Sequence, residues 1–167
     1  MKKDKVLNSE IVFSGKIFDI KKDTVLLENG REARRDILVH KGACAGVPIT
    51  EDNKIILVKQ YRHATGDFLL EIPAGGLEIG EDPKDCIVRE LQEEIGYKPE
   101  TVEFLYQIWL APGYSEEKLY CYVCKNLKKS LLPCDDDENI EIYEFAFDEI
   151  EKMIMKGEIK DAKTIAC

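Results

Sequence analysis

One stretch of this chain, Gly75 to Tyr97 (GGLEIGEDPKDCIVRELQEEIGY), leaves little freedom in what can form around it. It carries a start signal, a body and a stop signal for a single helix. Asp82 suits the N-cap, Pro83 the first helical position, and Asp85 the positive end of the helix dipole. Gly96 suits the residue after the last turn, and Pro99 blocks continuation. A helix is therefore predicted over about Pro83 to Ile95. On it Glu90, Glu93 and Glu94 stand at i, i+3 and i+4, inside an arc of about 100°. Ile87, Val88, Leu91 and Ile95 fall on a different arc, so one face packs into a core and another gathers three negative charges. Like charges at this spacing cost roughly 0.2–0.5 kcal/mol per pair. Two readings stand: a solvated acidic face, or oxygen ligands for a hard divalent cation. The preceding loop, Pro73-Ala74-Gly75-Gly76, favours the second, because its glycines let backbone approach a ligand closely.

The rest of the chain narrows the class. Its 167 residues suffice for one domain with a sizeable core. No apolar run approaches the ~20 residues of a membrane span. The start, MKKDKVLNSE, lacks the apolar stretch of a signal peptide. The net charge of −9 argues against non-specific nucleic-acid binding. It also means that a phosphate-bearing substrate needs local cations, from metal ions and arginines, in order to approach. Cysteines stand at 44, 86, 121, 124, 134 and 167. Cys121 and Cys124 lie in KLYCYVCKNL, which reads as a strand, so they point to opposite faces and no zinc site is expected. Scattered cysteines without a secretion signal suggest reduced thiols in a cytoplasm.

The pattern predicts strands over Lys5 to Phe13, Ile17 to Leu27 and Glu32 to His40, with Asn29-Gly30 as a hairpin turn. Such a unit is marginal alone and must pack on the rest of the chain or on another subunit. Further strands are expected at Lys54 to Arg62, Phe68 to Pro73, Thr101 to Leu110, Lys118 to Lys125 and Ile140 to Phe147. Asp148 is expected to cap a last helix to about Lys156, which Gly157 ends. Trp109 reads as a core residue, and His40 and His63 as structural. The class is α+β: a mixed sheet with the carboxylate helix on one side and a second helix elsewhere.

Gly75, Glu81, Arg89-Glu90-Leu91, Glu93-Glu94 and Gly96 together resemble the Nudix box, with Tyr97 where an aliphatic residue is commoner. Lys59-Gln60-Tyr61-Arg62, Leu70-Glu71-Ile72-Pro73-Ala74-Gly75, His40-Lys41-Gly42-Ala43 and Pro112, 16 residues after Gly96, resemble the ADP-ribose pyrophosphatase branch. The tail from Glu158 to Ala166 is similar to the start of that branch's last helix. Since the chain stops at Cys167, that helix is expected to be short or loosely packed.

The resemblance implies a Nudix-type α/β/α sandwich over 41–167, with a small N-terminal antiparallel β unit over 1–40 that dimerises by exchanging strands. It implies Mg²⁺-dependent hydrolysis of ADP-ribose to AMP and ribose 5-phosphate, with Mn²⁺ as a substitute cation. Glu90 and Glu94 would be the main metal ligands, joined by Glu93 and the carbonyl of Ala74. Arg89 would orient a carboxylate. Glu81 would either do similar work or serve the helix dipole. Water activation would fall to a carboxylate of the acidic loop, Glu138 ahead of Asp137 and Glu141; the alternative is a solvated charge run. Arg62 and Glu71 would meet the nucleotide or else pair with each other. Asp36, Phe18, Gly113 and Glu117 would complete the substrate site, although Phe18 reads equally as core. Another nucleoside diphosphate sugar such as GDP-mannose is an alternative substrate. A Nudix-fold sensor that binds a nucleotide without cleaving it is an alternative class.

Overall fold

The computed structural model describes residues 2–134 and 139–167. The strands are β1 (Lys5–Ser14), β2 (Asp19–Leu26), β3 (Glu32–Val39), β4 (Ala43–Pro48), β5 (Lys54–Arg62), β6 (Asp67–Glu71), β7 (Ala74–Gly76), β8 (Tyr97–Trp109), β9 (Lys118–Lys129) and β10 (Ile140–Ala146). The helices are α1 (Pro83–Glu94), α2 (Phe147–Met155) and α3 (Ala162–Ala166). The chain divides into two compact units, one of residues 1–42 with 109–118, the other of 43–108 with 119–167.

The larger unit is a sandwich built from strict alternation. In β5, Ile56 and Val58 enter one core while Ile55 and Leu57 enter a second. In β9, Tyr122 and Cys124 face the first core, and Leu119 and Cys121 the second. This is the period of two expected of strands buried on both sides. The two cysteines thus point to opposite cores, as their spacing requires. The first core is closed by Cys86, Ile87, Leu91 and Ile95 around α1, the second by Ile150 of α2 and by Ile159. The four-stranded sheet runs β7-β4-β9-β8 and is mixed, since β4 is parallel to β9 and antiparallel to β7. A second sheet runs β10-β5-β6. Burying Ile87 and Leu91 completely contributes roughly 1.5–3 kcal/mol each. Gly46 of β4 lets α1 come close: a Cβ there would lie 2.8 Å from the Ile87 side chain.

The smaller unit carries the antiparallel sheet β1-β2-β3. Its β2–β3 turn contains Gly30 at φ +79°, as the Asn-Gly signal requires. The segment 109–118 joins it through backbone bonds from Leu38 N–H to Tyr114 O (2.7 Å) and from Glu116 N–H to Leu38 O (2.9 Å). Strand β1 is exposed along its whole length.

Three expectations are corrected. Asp148 does not cap α2; the N-cap is Ala146, and Asp148 lies in the first turn, paired with Lys152 at 2.8 Å. The Glu149 side chain caps instead, accepting from the Ala146 N–H at 2.8 Å. Strand β8 starts at Tyr97, ahead of Thr101, so Pro99 stops the helix and then lies within a strand. Trp109 is not core: it is 48% exposed, with the Lys118 ammonium 5.1 Å from its ring centre. The last helix is short, as expected, but firmly tied, with the Ile72 N–H donating to Thr164 Oγ1 at 2.9 Å. Among the described residues no helix is long and apolar enough to cross a membrane.

Candidate active site

Helix α1 begins as its sequence dictates. Asp82 Oδ1 accepts from the Lys84 N–H at 2.8 Å, and Gly96 ends the helix at φ +72°. This start and stop set the phase of the face that carries the carboxylates. Glu90 and Glu94 are only 8% and 6% exposed and Glu93 is half-buried, which rules out a solvated face for the first two. Buried carboxylates are unfavourable unless compensated. Glu90 lies against the glycine loop so closely that a Cβ on Gly75 would be 1.9 Å from its carboxyl carbon.

Arg89 is the hub of the compensation. Its Nη1 donates to Glu90 Oε1 at 2.7 Å and to Glu93 Oε2 at 2.9 Å. Its Nε and Nη2 donate to the two oxygens of Glu81 at 2.9 and 3.1 Å, and Nη2 also reaches the Gly76 carbonyl at 3.3 Å. Glu81 is itself fixed by the Glu78 N–H at 2.9 Å. The bond from Arg89 holds the Glu81 carboxyl below its ordinary value, and the bond to Glu81 raises the Arg89 guanidinium. Of the two readings for Glu81, the structure therefore shows it positioning Arg89. Cys86, on the same helix, brings its Sγ to 2.7 Å from that of Cys44 on β4, in the core behind the loop.

A second charged cluster lies in the same unit. Arg62 Nε and Nη2 donate to the two oxygens of Glu71, both at 2.8 Å. Lys163 of α3 pairs with the second of those oxygens and with Asp161 at 3.1 Å. Burial alone would push the Glu71 carboxyl up; the bonds from Arg62 and the charge of Lys163 outweigh it and hold it below its ordinary value. Arg62 is raised by its bond to Glu71 and further by the charges of Glu94 and Asp161. Arg62 and Glu71 thus pair with each other. The partner that sequence reasoning missed is Lys163; its signal was Asp161 three residues before Thr164, an N-cap pattern that fixes where the helix points.

The other expected residues are dispersed. Ala74 is half-buried on β7, paired with Ala45. In the smaller unit, Asp36 and Gly113 line one pocket with Trp109 and Tyr114. Glu117 donates its N–H to Ser115 Oγ at 3.1 Å, while the neighbouring Glu116 pairs with Lys21 at 2.6 Å. Phe18 is partly exposed, tilted against Phe13 at 6.5 Å, and is not core. Glu138 and Asp137 lie outside the described residues. Glu141 is exposed on β10 and accepts from the Tyr143 hydroxyl at 2.6 Å.

The donor set around α1 suits a hard divalent cation: carboxylates at Glu90, Glu93 and Glu94 beside a loop free of side chains at Gly75. Among the described residues no three acidic, histidine or cysteine side chains converge as a preformed cage. Instead Arg89 takes the charge of Glu90 and Glu93.

The layered fold and this arginine-clamped acidic helix are those of a Nudix hydrolase. Residues 40–166 match the NUDIX domain, and the chain belongs to that family. It is 40% identical to the methanol dehydrogenase activator of Bacillus methanolicus, over 97% of this chain and 89% of that one. It is 35% identical to the ADP-ribose pyrophosphatase of Bacillus subtilis (strain 168), over 96% and 88% respectively. A GDP-mannose pyrophosphatase of Yersinia enterocolitica matches a shorter stretch, 66% of this chain and 62% of that one, at 34% identity. In fold the chain is similar to a crystal structure of an ADP compounds hydrolase, with a TM-score of 0.89 over 99% of this chain and 90% of that one, at 23% identity. The chain is thus an ADP-ribose pyrophosphatase-like Nudix hydrolase.

Proposed function

We propose that this chain hydrolyses the diphosphate of ADP-ribose to AMP and ribose 5-phosphate. The observation that carries the reading is the pair of buried carboxylates on α1, Glu90 and Glu94, the first of them held by Arg89 against the glycine loop. Glu90 and Glu94, with Glu93 and the Ala74 carbonyl, are the groups that would hold Mg²⁺ or Mn²⁺. A cation held there would neutralise phosphate oxygens and acidify a water. Water oxygen attacks one phosphorus, the bridging P–O bond breaks, and the leaving phosphate takes the electron pair. Arg89 positions Glu90 and Glu93, and Arg62 is the cation for the substrate's phosphates. Glu138 is our assignment for the base that takes the water's proton, with Asp137 and Glu141 behind it.

Asp36, Phe18, Gly113 and Glu117 are proposed to hold the nucleotide, in a homodimer formed through residues 1–40. The exposed apolar side chains of β1 support that assembly. A guanine sugar is the second substrate reading, supported by the likeness to a GDP-mannose pyrophosphatase. A role as activator of a dehydrogenase is a further reading, supported by the 40% identity to the methanol dehydrogenase activator. A panel of nucleoside diphosphate sugars, assayed with Mg²⁺ for phosphatase-sensitive product, tests the main proposal. ADP-ribose should be turned over fastest. Preference for GDP-mannose would replace it, and no turnover of any member would favour a nucleotide sensor. Addition of the protein to a methanol dehydrogenase assay tests the activator reading, which no change in rate would exclude.

A further inference from the structure

We propose that Lys163 is a positioning residue for substrate binding: it neutralises buried Glu71, so that Arg62 can leave that carboxylate and grip a diphosphate oxygen. The proposal rests on the diphosphate-hydrolase reading above and adds to it the device that makes Arg62 available.

The three side chains differ in exposure in a way that assigns their roles. Glu71 is 1% exposed and its oxygens accept from both cations. Arg62 is 40% exposed, whereas Lys163 is 12% exposed. Of the two cations Arg62 is thus the more open to solvent. Glu71 has two cationic partners, so it keeps one of them, Lys163, shared with Asp161, when the other turns to a different anion. The partner that turns is Arg62, because Lys163 is held in place. Its Nζ also pairs with Asp161 at 3.1 Å, and Asp161 Oδ2 accepts from both the N–H and the Oγ1 of Thr164 at 3.0 and 2.6 Å. Thr164 Oγ1 in turn accepts from the N–H of Ile72, the residue after Glu71. Helix α3 is pinned to the same strand end whose carboxylate its lysine neutralises.

Chemistry fits this division of labour. A planar guanidinium matches a phosphate through two parallel bonds, whereas an ammonium is a point charge. Stripping a lone partner from a buried carboxylate is strongly unfavourable, because an uncompensated charge is left behind. Without Lys163, every substrate that drew Arg62 outward would have to bear that penalty. With it, Glu71 stays paired whether Arg62 points inward or outward.

Isothermal titration calorimetry with ADP-ribose, without divalent cations so that no turnover occurs, tests the proposal. Lys163→Met should weaken binding about tenfold or more, since Arg62 becomes the sole counter-charge of Glu71. Glu71→Gln in the Lys163→Met background should recover binding to within about threefold of wild type, because a neutral side chain no longer retains Arg62. A merely structural lysine predicts no such recovery. Lys163→Arg should bind like wild type. Glu71→Gln alone should bind at least as tightly as wild type, a measurement that stands even if Lys163→Met fails to fold. Unchanged affinity in Lys163→Met, absence of recovery in the double variant, or weakened binding by Glu71→Gln alone would each overturn the proposal. Turnover of ADP-ribose by the wild type with Mg²⁺ reports separately on the hydrolase reading. Binding without turnover sinks that reading and leaves the affinity comparison intact, and absence of binding by the wild type overturns both.

Discussion

The Glu90 carboxylate lies so close over Gly75 that a methyl group built on that glycine would stand 1.9 Å from its carboxyl carbon. The glycine is therefore needed for space. The clash falls on the far end of a flexible side chain, so the helix can stay where it is while the carboxylate swings away. Gly75→Ala is expected to change the unfolding midpoint by less than about 4 °C. Activity with Mg²⁺ should fall by about 100-fold, as for a displaced metal-site group. A circular-dichroism melt beside a rate measurement checks both. Full activity would mean that the place of Glu90 over the loop is unimportant.

Glu94→Gln keeps shape and removes one charge from a buried carboxylate on the same face as Glu90. With Mg²⁺ supplied, the expected loss of rate is at least about 100-fold. Retention of activity within a few-fold of the parent would show that this helix face does not hold the metal.

Helix α1 was legible almost to the residue because its signals are local: Asp82, Pro83 and Gly96 act within a turn of where they stand. The opposite faces of Cys121 and Cys124 were legible from their spacing in a strand, and the family resemblance supplied the sandwich. What stayed hidden was non-local. Nothing in the spacing of Glu71 and Lys163, 92 residues apart, tells that they share a contact. Trp109 looked like core because a lone tryptophan is usually well buried, yet it is the last residue of β8 and the only one of that strand that belongs to the smaller unit. The Ala146 cap was missed because its capping group is supplied by Glu149, and alanine itself gives no signal.

Asp82→Ala removes the oxygen that satisfies the Lys84 N–H. The cost is about 1 kcal/mol, or roughly 2–4 °C in the unfolding midpoint of a chain this size. Asp82→Asn, which keeps the acceptor, should recover most of it. An equal loss in both variants would show that charge at the helix start, and not the cap, is what matters.

The Glu71 carboxyl lies below its ordinary value of 4.5 in the folded chain, despite burial, because Arg62 and Lys163 hold its charged form. A depressed folded value means that the unfolded chain binds the proton more readily. The contribution to stability is thus fully present above about pH 4.5 and is lost as pH falls through the depressed value. Unfolding midpoints measured between neutral pH and the acid limb should fall less steeply below that point in Glu71→Gln than in wild type. Identical acid limbs would mean that other carboxylates, such as Glu81, carry the acid sensitivity.

Strand β1 is an edge strand of ten residues, and all ten are exposed. Val6, Leu7, Ile11, Val12 and Phe13 present apolar surface on it. An edge with unpaired backbone and apolar side chains is an invitation to pair with another chain. A second copy offers the same strand, so a two-fold pairing satisfies both at once. Wild type is expected to run as a dimer by light scattering after size exclusion. Replacing Val6, Ile11 and Phe13 together by Glu places like charges in that contact and should give a monomer. Because Asp36, Gly113 and Phe18 belong to the same unit as β1, loss of the dimer should also raise the KM for ADP-ribose by about tenfold or more, one such contact being worth about 1.4 kcal/mol. A wild type that runs as a monomer, or a triple variant that stays dimeric, would remove β1 from the interface.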